Sequence, residues 1–174
     1  FAVDVSIGEP RPPPEMHPYI EENFGSLEAV QRQQIVKVTN RVTLEGAIFN
    51  SLRARRPLEA REALTLEAQL INGNLFDPFR TPRQSTPEDI FGRIRGRHCI
   101  TAANLAKFDG LHGVVIFDEP HPLRFTLPQL ADYLDTALVW FYLAHQHDRE
   151  AIYPLFIWNC LWRAGASINH GHAQ

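Results

Sequence analysis

The clearest alternation of apolar and polar positions lies in the second half of the chain. Short apolar runs at 98–104 and 113–117 flank an Asp-Gly pair at 109–110, a pattern that predicts two paired strands. Further on, the apolar residues at 155–158 predict a third strand. The alternating residues at 170–174 predict a fourth, so we expect a mostly antiparallel sheet.

A long helix is predicted between the second and third of these strands. Thr126 and Gln129 form a capping box, and Pro128 in the first turn costs no hydrogen bond. Apolar residues then follow at spacings of three or four, on one helical face that we expect to be buried. This face comprises Leu127, Leu130, Leu134, Leu138 and Phe141. Two strands, a long packed helix and two more strands indicate the α+β fold class.

The N-terminal segment is rich in proline. Five prolines fall within residues 9–18, and proline favours extended backbone over helix or central strand. We therefore expect an extended, Pro-rich arm over residues 1–24, followed by the main domain over 25–174.

The residues between the arm and the first clear strand are less regular. Ser26 is placed to cap a short helix over 27–34. The β-branched and aromatic residues at 35–49, interrupted by Gly46, suggest a hairpin. A second helix is predicted over Leu58–Ile71, and a Pro-rich loop follows it.

Composition narrows the classes of function. The 174 residues include 17 Lys+Arg and 20 Asp+Glu, and the net charge of −3 argues against nucleic-acid binding through bulk charge. No apolar run approaches the ~18 residues that a membrane-spanning helix needs. The two cysteines, Cys99 and Cys160, form no CxxC pair, and with no secretory signal in view they favour a cytoplasmic protein.

Residues 159–174 contain the densest set of chemically useful side chains. If the last part of this segment is a strand, its side chains alternate, so His170, His172 and Gln174 share one face. Two imidazoles and an amide are costly in a core but well suited to lining a pocket. The turn at 165–167 adds backbone N–H groups and a hydroxyl that suit an anion.

The spacing of these residues leaves three interpretations open. His170 and His172 could act as nucleophile and base in catalysis. They could equally provide two metal ligands that need a third ligand from elsewhere in the chain. The third interpretation is a polar strand with a structural role only.

Taken together, these residues resemble the active-site signature of the histidine-triad-like (HIT-like) nucleotidyltransferases. The match consists of Asn159, the turn at 165–167 and the run His170-x-His172-x-Gln174, all at the family's spacing. The branches that the sequence resembles are the galactose-1-phosphate uridylyltransferases and the ATP adenylyltransferases, also called diadenosine tetraphosphate phosphorylases.

Further similarity extends upstream. Residues 77–79 resemble an Asn-Pro-Phe-Pro segment of the adenylyltransferases, and 107–108 resemble the end of their Asn-Lys-Phe motif, with Asn104 displaced. The segment 117–121 resembles a Phe-x-x-x-His segment of the uridylyltransferases. The resemblance implies a HIT-like fold over 98–174. Since the family continues past the His-x-His-x-Gln strand, it also implies that this chain is the N-terminal half of a larger fold.

The resemblance implies a role for each residue of the signature. His172 would be the nucleophile that forms a covalent nucleotidyl-histidine, Gln174 would contact the phosphoryl oxygens, and His170 would orient the pocket. Residues implied to bind the phosphates or the nucleotide are Asn159, Gly165, Ser167, Asn104 and Lys107. Because an amide at Gln174 cannot shuttle protons, transfer to an acceptor is favoured over hydrolysis. The implied partners are a dinucleoside polyphosphate or nucleotide sugar, a phosphate or sugar-phosphate acceptor, and a second copy of the chain.

Zinc marks a departure from the family's pattern. Many uridylyltransferases hold zinc with a CxxC pair and two histidines, which His121 and His170 match, but this sequence has no CxxC pair. We therefore expect neither zinc nor another cofactor. Two alternatives remain: a metal-dependent hydrolase that uses His121, His170 and His172 as ligands, and an inactive nucleotide-binding module.

Overall fold

The computed structural model describes residues 1–55, 77–161 and 164–174, and these residues adopt an α+β fold. They form two antiparallel three-stranded sheets and one long helix, which confirms the predicted fold class. The helix predicted over Leu58–Ile71 lies outside the described residues. None of the described helices is long and apolar enough to cross a membrane.

The first sheet is built from the N-terminal part of the chain. Its strands β1 (Ala2–Gly8), β2 (Gln33–Thr39) and β3 (Gly46–Phe49) pair antiparallel in that order, so β2 is central. The pair β2–β3 confirms the predicted hairpin. Its connection occupies 40–45, and Gly46 begins β3.

The predicted extended arm over residues 1–24 has to be corrected. β1 pairs with β2 along its whole length, and the helix α1 (His17–Phe24) packs into the body of the fold. Three apolar residues spaced four apart are buried on this side: Met16, Ile20 and Phe24. Pro18 is compatible with the first turn of α1 because no helical N–H is needed there, and the apolar stripe supplies the packing energy.

Two shorter helices follow α1. Ser26 caps α2 (Leu27–Gln31) as predicted, since its hydroxyl accepts a hydrogen bond from the backbone N–H of Ala29 at 3.2 Å. The Pro-rich loop predicted after residue 76 contains a one-turn helix, α3 (Pro82–Ser85). Pro82 lies at the start of that turn, where proline is tolerated.

The second sheet carries the candidate site. It consists of β4 (Cys99–Ala103), β5 (Gly113–Phe117) and β6 (His172–Ala173), with β5 in the middle, and all neighbours are antiparallel. The strands predicted at 98–104 and 113–117 are thus confirmed. The long helix α4 (Leu127–His147) packs against one face of this sheet, where Tyr133 stacks on Phe117 with ring centroids 3.8 Å apart.

The burial of α4 differs from the prediction. Its capping box between Thr126 and Gln129 is confirmed. The predicted stripe is wrong, because Leu127, Leu134 and Leu138 are exposed. The buried residues of α4 are Tyr133, Thr136, Ala137, Trp140 and Ala144. Partners distant in sequence decide that this second face is buried. The Trp140 ring packs against Gly113 so closely that a Cβ on Gly113 would lie 2.6 Å from the ring. The indole N–H of Trp140 donates to Oδ2 of Asp89 at 2.7 Å.

Of the last two predicted strands, one is shorter than expected and the other does not form. β6 comprises only His172–Ala173, although 170–174 alternates throughout. Residues 155–158 do not form the predicted strand, because their backbone pairs with the end of the described chain at a single residue. Instead, Ile157 exchanges both backbone hydrogen bonds with Gln174, each at 2.7 Å.

Candidate functional site

Two histidines of the last strand pack against the ring of Phe79. His172 pairs with Ile116 on β5, so its side chain lies on the sheet face opposite α4. The Phe79 ring centroid is 5.0 Å from that of His172 and 5.8 Å from that of His170, both in edge-on arrangements. Both histidines are 5% exposed. They therefore share a face, as the alternation predicts.

The ring of His172 is held in one tautomer. Its Nδ1 lies 2.8 Å from the backbone oxygen of His170. A carbonyl oxygen can only accept, so Nδ1 carries the proton and donates it to this bond. The lone pair then lies on Nε2, for which the described part of the chain provides no hydrogen-bond partner. A neutral imidazole with an available ring nitrogen is what nucleophilic attack requires.

His170 faces two acceptors. Its Nδ1 lies 2.9 Å from Oδ2 of Asp77, and its Nε2 lies 2.9 Å from the backbone oxygen of Phe117. A carboxylate and a carbonyl only accept hydrogen bonds, so both ring nitrogens of His170 face acceptors. The Asp77 side chain is only 17% exposed, which keeps this hydrogen bond partly shielded from water. The ring of His170 is therefore held at both nitrogens, and its backbone oxygen accepts the hydrogen bond that orients His172.

Burial and neighbouring charge set the protonation of these groups. Burial lowers the pKa of His172; its hydrogen bond to the His170 carbonyl opposes this, and the nearby His170 ring adds to it. Burial raises the pKa of Asp77, but the hydrogen bond and charge of His170 outweigh it, so that the pKa lies below its ordinary value. At neutral pH, His172 is therefore uncharged and Asp77 is ionised.

A cavity of about 110 Å³ opens in front of His172. Four of the predicted site residues line it together: Asn104, Ser167, His172 and Gln174. Its remaining wall is mainly apolar and includes Met16, Tyr19, Phe24, Phe79, Leu105 and Ile168. Apolar walls with a few placed polar groups are typical of pockets for small organic ligands.

Lys107 has a different place from the one predicted. Its side chain is 2% exposed, and Nζ donates to the backbone oxygen of His112 at 2.9 Å and lies 3.6 Å from Oδ1 of Asp89. Burial lowers the pKa of Lys107 and raises that of Asp89, and their mutual attraction opposes both shifts. Lys107 does not line the cavity, so the structure does not bring this ammonium to a phosphate bound beside His172.

Asn159 and Gly165 also lie apart from the cavity lining. Gly165 is exposed and has a φ of 92°, a left-handed conformation that glycine adopts readily. In the turn that follows, the Ala166 N–H already donates to the Leu161 oxygen at 3.1 Å. Of the predicted anion-binding turn, only Ser167 therefore faces the cavity.

The structure places three further residues at or beside the cavity, none of which belongs to the predicted site. Asp77 and Phe79 contact the two histidines, and His112 Nε2 lies 3.1 Å from Oε1 of Gln174. The resemblance of residues 77–79 to an adenylyltransferase segment was a usable signal for the first two. For His112 the only signal was its position directly before a predicted strand, which does not reveal a contact 62 residues away.

Metal binding finds little support among the described residues. Residues 1–55, 77–161 and 164–174 hold no group of three or more His, Cys, Asp or Glu side chains that could bind a metal ion. Both nitrogens of His170 already face protein acceptors. Nδ1 of His121 accepts from the Leu123 N–H at 3.2 Å. The three histidines of the metal-hydrolase alternative form no such group within these described ranges, and the absence of a cofactor stays a prediction.

Comparison with known proteins adds no family assignment. No protein-family model matches the sequence, and neither the curated proteins nor the solved structures give a match.

Proposed function

We propose that this protein is a HIT-like nucleotidyltransferase that works through a covalent nucleotidyl-histidine on His172. The observation that carries the proposal is the state of His172: a buried, neutral imidazole whose Nδ1–H is tied to the His170 carbonyl and whose Nε2 remains available. The resemblance of residues 159–174 to the family signature supports it independently. A cavity lined by amides, a hydroxyl and apolar side chains provides room beside that nitrogen.

The reaction consists of two displacements at one phosphorus atom. In the first, Nε2 of His172 attacks the α-phosphorus of a dinucleoside polyphosphate or nucleotide sugar. An N–P bond forms, and the P–O bond to the leaving phosphate group breaks with its electron pair on oxygen. In the second, a phosphate oxygen of the acceptor attacks the same phosphorus. The N–P bond then breaks and returns the electron pair to Nε2.

The other cavity residues act by positioning and by hydrogen bonding. The side chains of Gln174, Asn104 and Ser167 donate to the phosphoryl oxygens, where negative charge is concentrated in the transition state. His170 holds the ring of His172 through its carbonyl oxygen. We place the base of the nucleotide against the apolar wall formed by α1 and Phe79. The two free thiols, Cys99 and Cys160, are compatible with the cytoplasm, where we expect the protein to act. From the family resemblance we also expect a homodimer.

The test is the covalent intermediate itself. The chain is incubated with UDP-glucose or with diadenosine tetraphosphate, denatured at alkaline pH because phosphoramidate bonds are labile in acid, and analysed by intact-protein mass spectrometry. We expect a stoichiometric uridylyl or adenylyl adduct, mapped by peptide sequencing to His172. The variant His172→Ala should form none.

A matched control uses an exposed histidine. His147 lies at the C-terminal end of α4 and is exposed, so His147→Ala should retain the adduct. An adduct that persists in His172→Ala would contradict the assignment of the nucleophile. Nucleotide binding by calorimetry without any adduct would favour the inactive binding module, and activity that a chelator abolishes would favour the metal-dependent hydrolase.

A further inference from the structure

His112, directly before β5, is connected to the cavity through the side chain of Gln174. The backbone N–H of Phe108 donates to Nδ1 of His112 at 2.9 Å. A backbone N–H is only a donor, so Nδ1 must present its lone pair and the ring proton must lie on Nε2. The tautomer of His112 is therefore opposite to that of His172.

This tautomer decides which way the Gln174 amide faces. Nε2 of His112 lies 3.1 Å from Oε1 of Gln174, so the ring N–H donates and the amide oxygen accepts. The –NH₂ group of Gln174 is then directed away from the imidazole. Within the described residues no protein group accepts from it, while Gln174 lines the same cavity as His172.

The side-chain amide of Asn104 is oriented by the backbone of Ala106 and lies beside His112. Its Oδ1 accepts from the Ala106 N–H at 3.1 Å, which fixes the –NH₂ group on the other side of the amide. That nitrogen lies 3.4 Å from Nε2 of His112, and both atoms carry protons. Because two donors do not form a hydrogen bond, the Asn104 amide also keeps donor capacity for an acceptor in the cavity.

The ring of His112 is well fixed. It stacks on Phe108 with centroids 5.0 Å apart and planes 25° from parallel, and the Arg53 guanidinium lies 3.6 Å above the Phe108 ring. Burial lowers the pKa of His112 to about 4, and the charges of Lys107 and Arg53 act in the same direction. The ring stays neutral through the physiological range, so its single N–H remains on Nε2.

We propose that His112 is a positioning residue that holds the amide oxygen of Gln174 on its own side, away from the substrate. The –NH₂ groups of Gln174 and Asn104 then both donate to one acceptor oxygen of the substrate. The proposal rests on the proposed function, which makes that oxygen a non-bridging oxygen of the transferred phosphoryl group. Without His112, the Gln174 amide can rotate and present its oxygen to a phosphoryl group, which repels it.

The first test uses the parent chain alone and needs neither a substrate nor a variant. Long-range ¹H–¹⁵N correlation spectra of the ¹⁵N-labelled chain give the tautomer of each histidine ring between pH 5 and 8. We expect protonated Nε2 for His112 and protonated Nδ1 for His172. A His112 ring protonated on Nδ1 would overturn the positioning role, whatever the activity of the protein.

The second test compares His112→Gln, which keeps an N–H donor near Gln174, with His112→Met, which has none. For turnover with UDP-glucose and a sugar-phosphate acceptor, we expect kcat to fall about 10-fold to 100-fold in His112→Met, with KM for UDP-glucose changed less than about 3-fold. His112→Gln should recover to within about 3-fold of the parent chain. The exposed His147→Met is the matched control.

The outcomes separate the two proposals. If the parent chain forms no adduct, the proposed function fails, while the His112 tautomer and the –NH₂ resonances of Gln174 still test the positioning role. Those resonances should shift in His112→Met and stay near their parent positions in His112→Gln. Unchanged resonances in both variants, or a loss in KM alone with kcat preserved, would contradict the role of His112.

Discussion

Oδ2 of Asp77 lies 2.9 Å from Nδ1 of His170, although the two residues are 93 positions apart in the sequence. The contact joins the turn that carries Phe79 to the strand that carries His172. It holds the imidazole of His170 against the Phe117 carbonyl and so fixes the backbone oxygen that orients His172. The site thus depends on Asp77, a residue that lies outside the signature motif.

Replacing Asp77 should destabilise the fold measurably. We expect Asp77→Asn to cost about 1–3 kcal/mol in urea unfolding at pH 7, because the partly buried hydrogen bond from His170 to a carboxylate is lost. Glu9→Gln, in the exposed pair with Arg32, should cost less than about 0.5 kcal/mol. Since the pKa of Asp77 is held below its ordinary value, the difference should persist at pH 5–7 and disappear as the pH falls below about 4. Equal effects of the two variants would contradict this account.

His112 should make stability depend on pH in a defined range. Its pKa is about 4 in the folded chain and about 6.5 when unfolded, so the unfolded state binds more protons as the pH falls through this interval. Between pH 7 and pH 4.5 we expect the parent chain to lose about 2 kcal/mol more than His112→Gln. Urea titrations at both pH values measure this difference. The same pH dependence in both proteins would show that His112 titrates normally.

Gly171 should not tolerate a larger side chain. A Cβ at this position would lie 2.8 Å from Phe117 Cδ2 and 2.9 Å from the Glu119 oxygen, and backbone cannot yield easily. We expect Gly171→Ala to cost about 1–3 kcal/mol in thermal or urea unfolding and to disturb the two flanking histidines. Gly46→Ala, whose Cβ would have contacts no closer than 3.7 Å, is the control and should cost less than about 1 kcal/mol. The hypothesis fails if both substitutions have the same small effect.

The buried pair of Lys107 and Asp89 should matter for stability but not for the reaction. Lys107→Met leaves Asp89 buried without its counter-charge, and we expect a loss of about 3–5 kcal/mol. Adding Asp89→Asn, which still accepts from Trp140, should restore at least about 1 kcal/mol. Measured per folded molecule, the KM for the nucleotide donor should change less than about 2-fold. A large rise in KM would instead place the ammonium on a phosphate.

The parts of the fold that could be predicted are those encoded by short spacings. The strands at 98–104 and 113–117, the cap at Ser26 and the capping box at Thr126 follow from local backbone geometry. The shared face of His170 and His172 follows from the two-residue repeat of a strand, even though β6 itself is short. These predictions needed no knowledge of what the elements pack against.

The predictions that failed all depended on a partner distant in sequence. Helix α4 has two apolar faces, and leucine spacing does not reveal that the face with Tyr133 and Trp140 meets the sheet. The proline content at 9–18 predicts an extended arm, whereas the apolar residues that follow form the buried stripe of α1. The resemblance of residues 107–108 to the Asn-Lys-Phe motif implies a phosphate-binding Lys107, whereas the fold buries this side chain against Asp89.

By itself, the sequence determined the chemical groups of the last strand and the faces on which they alternate, because residue type and strand periodicity are local properties. Only the tertiary structure decided the tautomers of His172 and His112, the pairing of Asp77 with His170 and the orientation of the Gln174 amide. Each of these depends on a donor or acceptor that another part of the chain brings within about 3 Å, and no spacing along the sequence specifies such an approach.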